Sequence, residues 1–334
     1  MRERVKISVG VITYNQEATI RQTLDSILAQ KGDFDLEIVV GEDCSLDNTY
    51  AICADYAMRY PNVVKLLPNT KNLGIMANFA RVMKACTGDY VGICAGDDYW
   101  CDEQKLRKQV EYFNAHPDVG VVSTAGYRYF VLRDEMVPGV APLQPIVDGD
   151  IKKFYFSKDY RGGVYAMPLS LLIKRELLQY VDFDEFVRRS FPVEDYPMQA
   201  ILAQHCKWGH IDDLCVVYRV YKESATFISL DHPKYLQYHQ GLANIRRYLN
   251  KLYPDDICFS EEWLQEYEFY KEFLLYLHHL DYKKAKALID EASANIPNSA
   301  KLQQAKRFSK TWLHFIAAHY IKEHNYKRDL KLRT

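Results

Sequence analysis

Short β-branched runs alternate with stretches of helical periodicity through the first hundred residues, and that alternation restricts the fold more than any other feature. Residues 5–12 (VKISVGVI) form the first strand pattern, bounded by the turn-prone Tyr14-Asn15. Ile20, Leu24, Ile27 and Leu28 follow at the spacing of one helical face, with Asn15 expected to cap that helix. Leu36–Val40 (LEIVV) predicts a second strand, and Ser45-Leu46-Asp47-Asn48 opens a helix carrying Ile52 and Tyr56. Val63–Leu67 predicts a third strand, leading to a helix with Ile75, Phe79, Val82, Met83 and Cys86 inward. A fourth strand, Tyr90–Cys94, stops abruptly at Ala95-Gly96-Asp97-Asp98. Connections this short imply an α/β, Rossmann-like fold: a mostly parallel sheet with helices on both faces. Ligands of such sheets bind at the carboxyl ends of the strands, which singles out Thr13–Glu17, Glu42–Ser45 and Asp97–Asp98.

Past residue 116 the pattern loosens. Val119–Ser123, Tyr127–Leu132 and Val216–Val220 predict strands, and 134–150 a Pro/Gly-containing loop. An amphipathic helix begins near Pro192-Val193-Glu194-Asp195 and runs to His205. Pro197 is admissible there only in the first turn, so Asp195 is expected at the N-cap. Beyond residue 230 strand signals disappear. Trp263, Tyr267, Tyr270, Leu274 and Leu277, then Ala285, Leu288, Ile289 and Ala292, recur at helical spacing and predict a small helical appendage of one hairpin. The expected division is an α/β domain over 1–226 and a helical region over 227–334. Residues 298–334 carry nine Lys/Arg against two acidic residues, interleaved with Trp312, Phe315, Ile316 and Tyr320. Such a helix either makes peripheral contact with an anionic membrane or packs on its own domain with a solvated basic face.

Charge and cysteine usage exclude several classes. A net charge of −1 over 334 residues gives no chain-wide field for nucleic acid. No apolar stretch approaches the roughly 18 residues of a membrane span, and Ile7–Ile12 is too short for a secretory signal. Eight cysteines without a C-x-x-C pair read as reduced core residues rather than a zinc site, hence a reducing, cytoplasmic compartment.

Three acidic pairs fall at loop ends. Asp97-Asp98 ends a buried strand, where adjacent carboxylates repel unless a hard divalent ion relieves them; the alternative is a pair of loop-entry caps. Glu42-Asp43 precedes a helix start that Ser45 and Asp47 already explain, which frees its carboxylates for a base N–H or ribose hydroxyls. At Glu194-Asp195 the helix dipole is expected to keep Asp195 ionised as a proton acceptor; a plain N-cap is the competing reading.

In this order the segments resemble the family two glycosyltransferases of GT-A fold. VGVITYNQEATIRQTLDSILAQ resembles the family's opening strand and helix, and IVVGEDCSLDNT its nucleotide-binding acidic turn. NLGIMANFARVMKACTGDYVGICAGDDYW is similar to the segment ending in its metal-binding motif, VEDYPMQ to that carrying its base, and VYRVYKESAT to its closing segment. The resemblance covers about residues 5–226. It implies that Thr13, Tyr14, Asn15 and Glu17 line a nucleotide pocket and that Asp43 contacts the base. It further implies that Asn72, Gly74 and Asn78 shape the donor side, that Asp97 and Asp98 hold ribose and Mn²⁺ or Mg²⁺, and that Asp195, with Glu194 beside it, is the catalytic base. The implied reaction is inverting transfer from a nucleotide diphosphate sugar to a saccharide or lipid-linked saccharide, in bacterial surface polysaccharide synthesis. One position departs: where the family commonly has His, this chain has Tyr221, a poor metal ligand, expected instead to bond a phosphate with help from Arg219 or Lys222. A nucleotidyltransferase would want a glycine- and lysine-rich phosphate loop, and a dehydrogenase G-x-G-x-x-G; VGVITYNQEAT has neither. A non-catalytic nucleotide-sugar-binding scaffold is the rival from another class.

Overall fold

A computed structural model describes residues 4–139, 151–156, 166–221, 230–256, 259–312 and 314–322. The chain divides into two compact units, Met1–Val220 and Tyr221–Thr334.

The first unit runs β1 (Val5–Thr13), α1 (Ile20–Leu28), β2 (Phe34–Glu42), α2 (Thr49–Arg59), β3 (Val64–Leu66), α3 (Ile75–Ala85), β4 (Tyr90–Ala95), β5 (Tyr99–Trp100) and α4 (Lys105–Ala115). It continues with β6 (Val119–Phe130), β7 (Glu135–Pro138), α5 (Lys152–Tyr155), β8 (Leu172–Lys174), α6 (Phe183–Arg188), α7 (Asp195–His205) and β9 (Lys207–Val220). One sheet joins the strands in the order β3-β2-β1-β4-β8-β6-β9-β5, with β7 off β6. β3, β2, β1 and β4 pair in parallel, as do β6 and β9, while β8, β5 and β7 run antiparallel to their neighbours. The expected mostly parallel sheet is the one found.

β1 and β2 are apolar on both faces because helices cover both, so their residues are buried in succession rather than alternately. Gly41 lets α3 approach β2 closely: a Cβ there would stand 2.4 Å from Val82 Cγ2 and 2.5 Å from Asn78 Oδ1. β5 occupies the far end of the strand order, yet only Gly96, Asp97 and Asp98 separate it from β4. The sheet therefore curls until its last strand returns beside the carboxyl ends of its first four.

Several local expectations change. The strand patterns at 119–123 and 127–132 are one twelve-residue strand, and 216–220 is the end of a fourteen-residue one; register shifts near Thr124 and Ala125 accommodate their mutual twist. β8 was not foreseen. It is three residues long, too short for a periodic signal. Asn15 does not cap α1, whose N-cap residue is Thr19 without a side-chain cap bond.

Lys105 opens α4 with no exposed surface. Its Nζ donates to Gln109 Oε1 at 2.9 Å and lies 4.1 Å from the Trp100 ring centroid. Burial pushes its ammonium down to about 7. Between that value and the ordinary lysine range, the unfolded chain holds a proton the folded one has released. The contribution of Lys105 to stability should therefore rise with pH across this window, by about 1.4 kcal/mol per pH unit at most. Urea titrations of the unmodified chain and of Lys105→Met at several pH values should show this slope in the difference between the two, and no pH-dependent difference would contradict it.

The second unit is helical: α8 (Tyr235–Leu252), α9 (Glu261–His278), α10 (Tyr282–Asn295) and α11 (Ala300–Phe308), with 312 and 314–322 also helical. These are more than the single hairpin expected. Ser260, Asp281 and Ser299 each accept a backbone N–H at the start of α9, α10 and α11. Phe269, Phe273 and Leu277 of α9 pack with Ala285, Ile289, Leu302 and Phe315. Trp263 and Tyr267 instead take the buried Arg246 guanidinium of α8, 5.2 and 4.7 Å from their ring centroids, so α9 carries two packing faces. Among the described residues no helix is long and apolar enough to cross a membrane.

Candidate active site

Parallel register sets the carboxyl ends of β2, β1 and β4 side by side: Thr13 faces Glu42 and Ile12 faces Ala95. The loops leaving them are laced together. Asp43 N–H donates to Thr13 O and Gly96 N–H to Ile12 O, at 3.0 and 2.9 Å. Thr13, 4% exposed, donates through Oγ1 to Gln16 Oε1 at 2.8 Å, and Gln16 in turn bonds the Asp97 carboxylate. A Cβ at Gly96 would fall 2.5 Å from Gln16 Oε1 and 2.6 Å from Thr13 Oγ1, so only glycine admits this bridge.

Asn15 has φ 52°, receives Leu46 N–H on Oδ1 at 2.8 Å and donates its own N–H to Ser45 Oγ at 2.9 Å. Glu17 receives both the backbone and the side-chain N–H of Asn48 on Oε2, at 2.9 and 2.8 Å. Asn15 and Glu17 thus bind the first acidic loop to the second, while Tyr14 between them stays exposed.

Asp43 is buried, its Oδ1 accepting from Asn69 Nδ2 and Leu73 N–H and its Oδ2 from Gly74 N–H. Three of about four lone-pair positions are taken, leaving one on Oδ2 for a further donor. Glu42 is turned inward to Cys44 and Ser45 N–H. Asn72 braces the same loop through Asp43 O and Gly74 N–H. Asn78 is 2% exposed, and both of its amide atoms are engaged, with Gly41 O and Arg81. Its amide faces the fold.

Asp97 and Asp98 form the turn from β4 to β5. Burial pushes both carboxyls up, and the charge of Asp97 adds to the push on Asp98. Asp98 Oδ1 accepts from Arg219 N–H of β9 at 2.8 Å. The Arg219 guanidinium bonds Asp97 O and Gln22 Oε1 and lies over the Tyr99 ring. It braces the turn from the side of β9. Tyr221 follows β9 half-buried, and Lys222 lies outside the described residues. Thr23 of α1, fully buried, donates to Gly96 O at 3.0 Å and Asp98 O at 2.6 Å. Gln16, Gln22 and Thr23 were not foreseen, nor was the bond from Arg219 to Asp98. The one available signal was Thr23, a polar residue on the otherwise apolar face of Ile20, Leu24 and Ile27.

Two adjoining, poorly solvated carboxylates suit a hard divalent cation, which favours their ionised form and prefers carboxylate and phosphate oxygens. Among the described residues no group of three His, Cys, Asp or Glu converges on one point. Of the described residues, Asp98 and Asp97 are the ones that would hold such a cation, together with ligand oxygens and water.

The third pair stands on α7. The helix begins at Asp195, so Glu194 takes the N-cap position, without a side-chain cap bond, and Asp195 Oδ1 accepts from Tyr196 N–H at 2.7 Å. This corrects the placement of Asp195 at the N-cap. Burial pushes both carboxyls up, and the charge of Asp195 pushes Glu194 further. Among the described residues no hydrogen bond joins this pair to the other two.

A family model described as Glycosyl transferase family 2 matches residues 8–178, just over half of the chain. The chain belongs to that family. An uncharacterized protein of Mycobacterium tuberculosis is 43% identical to this family 2 chain over 115 residues, 34% of this chain and 33% of the relative. The dTDP-rhamnosyl transferase RfbG of Shigella flexneri is 37% identical over 103 residues, 30% of this chain and 35% of the relative. The match thus spans about a third of the length of each of these two relatives. Among solved structures, the mannosyltransferase PcManGT of Pyrobaculum calidifontis, in complex with GDP-Man and Mn²⁺, is similar with a TM-score of 0.52 at 18% identity, over 96% of this chain and 87% of that one. That likeness bears on the fold, which is the GT-A-type fold expected.

Proposed function

We propose that the chain transfers a glycosyl group from a nucleotide diphosphate sugar to the hydroxyl of a saccharide or lipid-linked saccharide, in bacterial surface polysaccharide synthesis. The Gly96-Asp97-Asp98 turn carries this reading: two adjacent carboxyls, Asp98 buried and Asp97 partly so, braced from α1 and β9 at the ligand-binding end of a parallel sheet. Family membership, a dTDP-rhamnosyl transferase among the relatives and a GDP-Man complex among the structural neighbours support a nucleotide-sugar donor. Seven free cysteines among the described residues support a cytoplasmic location.

Thr13, Tyr14, Asn15 and Glu17 then line the nucleotide side, and the remaining lone pair of Asp43 Oδ2 meets a base N–H. Asp98 and Asp97 would hold Mn²⁺ or Mg²⁺, and such an ion would offset charge on the leaving diphosphate. Asp195 takes the proton of the acceptor hydroxyl in one displacement with inversion, so no protein nucleophile is required. Its raised carboxyl lies nearer the range in which a general base is effective.

A thermal-shift panel of nucleotide sugars, with and without Mn²⁺, tests this reading. One donor at about 100 times its Kd should add roughly 2.7 kcal/mol of apparent stability, and more with Mn²⁺ than without. Incubation with that donor should also release nucleoside diphosphate. Binding without release under any acceptor would favour a non-catalytic nucleotide-sugar-binding role, and no shift with any donor would overturn the proposal.

A further inference from the structure

The helix at 312 and 314–322 is apolar on two opposite sides. Thr311 starts it, accepting His314 N–H on Oγ1 and Phe315 N–H on its carbonyl. Phe315, 0% exposed, and Ala318, 3%, point into the core of the second unit. At 100° per residue the opposite arc carries Trp312, Ile316, Ala317, Tyr320 and Ile321 and no charge. Trp312, Tyr320 and Ile321 are 57%, 67% and 59% exposed. A helix apolar on both sides normally has partners on both, and here one side has water.

The surrounding charge indicates what belongs there. From 300 to 322 the chain has Lys301, Lys306, Arg307, Lys310 and Lys322 and no acidic residue. Lys301 and Lys322 are drawn over the Tyr270 ring, while Arg307 and Lys310 stand exposed beside the helix. Tryptophan and tyrosine at an apolar surface flanked by cations are suited to the boundary between lipid headgroups and acyl chains.

We infer that this face seats the second unit on an anionic lipid surface, with Trp312, Tyr320 and Ile321 entering the headgroup boundary and Lys306, Arg307 and Lys310 meeting the headgroups. The two readings left open by the sequence are then both realised, on opposite sides of one helix: Phe315 packs inward and Trp312 outward. The surface stands independently of the glycosyl-transfer reading, and a lipid-linked acceptor would be met at the same boundary.

Co-sedimentation of the full chain with vesicles of phosphatidylcholine alone, or mixed with phosphatidylglycerol in equal parts, tests it without donor or turnover. The unmodified chain should bind the mixed vesicles, bind the neutral ones far more weakly, and release as salt rises. Each cation at a lipid surface contributes about a factor of five, so Lys306→Gln/Arg307→Gln/Lys310→Gln should weaken binding on the order of a hundredfold. Trp312→Gln/Tyr320→Gln/Ile321→Gln, all at exposed positions, should abolish binding while leaving the circular dichroism spectrum unchanged. The blue shift of tryptophan emission on vesicle addition should be lost in Trp312→Phe. Equal binding by the apolar-face variant, or equal binding to both vesicle types, would overturn the inference. So would a chain that dimerises through this face in sedimentation and ignores vesicles.

Discussion

Asp195→Asn is expected to bind the nucleotide-sugar donor as the unmodified chain does and to lose roughly 10²- to 10⁴-fold in transfer rate. The amide keeps the shape of the carboxyl and can still accept Tyr196 N–H through its oxygen, so the start of α7 is preserved. It cannot take a proton. In the unmodified chain the rate should also depend on pH with a defined sign. A base works deprotonated, and burial has raised this pair, so activity should fall with acidification at a higher pH than an ordinary carboxylate would give. Single-turnover rates across pH, with donor affinity measured separately, check both statements. Transfer within about threefold of the unmodified chain, against the loss expected for a missing base, would remove Asp195 from the role. A large loss in Glu194→Gln would then transfer it.

Asp98→Ala is expected to abolish the metal-dependent part of donor affinity, a loss beyond the roughly 10- to 100-fold that removing an outer partner of a metal ligand costs. Nucleoside without phosphates should bind nearly as before, because Asp43 and the Thr13–Glu17 loop sit at other strand ends and are held by their own hydrogen bonds. No third protein carboxylate or imidazole converges with Asp97 and Asp98 among the described residues. The unmodified chain alone should therefore bind Mn²⁺ weakly, and the donor should tighten Mn²⁺ by the same factor as Mn²⁺ tightens the donor. Calorimetric titrations of Mn²⁺ with and without nucleoside diphosphate measure both legs. Tight Mn²⁺ binding without nucleotide, or equal loss of nucleoside and donor in the variant, would contradict this arrangement.

The first four strands were legible because strands covered on both faces become continuous β-branched runs, and their abrupt ends marked the acidic loops. The rest was hidden for identifiable reasons. The opening of β9 reads KWGHIDDLC, with Asp212 and Asp213 exposed, so only its apolar end carried a strand signal. The hydrogen bond from Arg219 to Asp98 spans 121 residues, and no local pattern encodes such a contact. At α7 the helix dipole was readable and burial was not, and burial pushes the Glu194-Asp195 carboxyls up. Of the stripe Trp263, Tyr267, Tyr270, Leu274 and Leu277 only Leu277 is fully buried, and α9 buries Leu264, Phe269 and Phe273 with it.

The bond between Asp98 and Arg219 also fixes an order of events in the life of the chain. During synthesis both carboxylates of the β4–β5 turn exist long before the amide that orients one of them has been made. A nascent chain, or one clipped ahead of β9, carries the acidic turn without its clamp, and Tyr99 and Trp100 without the strand they pair with. The clamp on the acidic turn is therefore the last part of it to arrive, set only when β9 closes the first unit on itself.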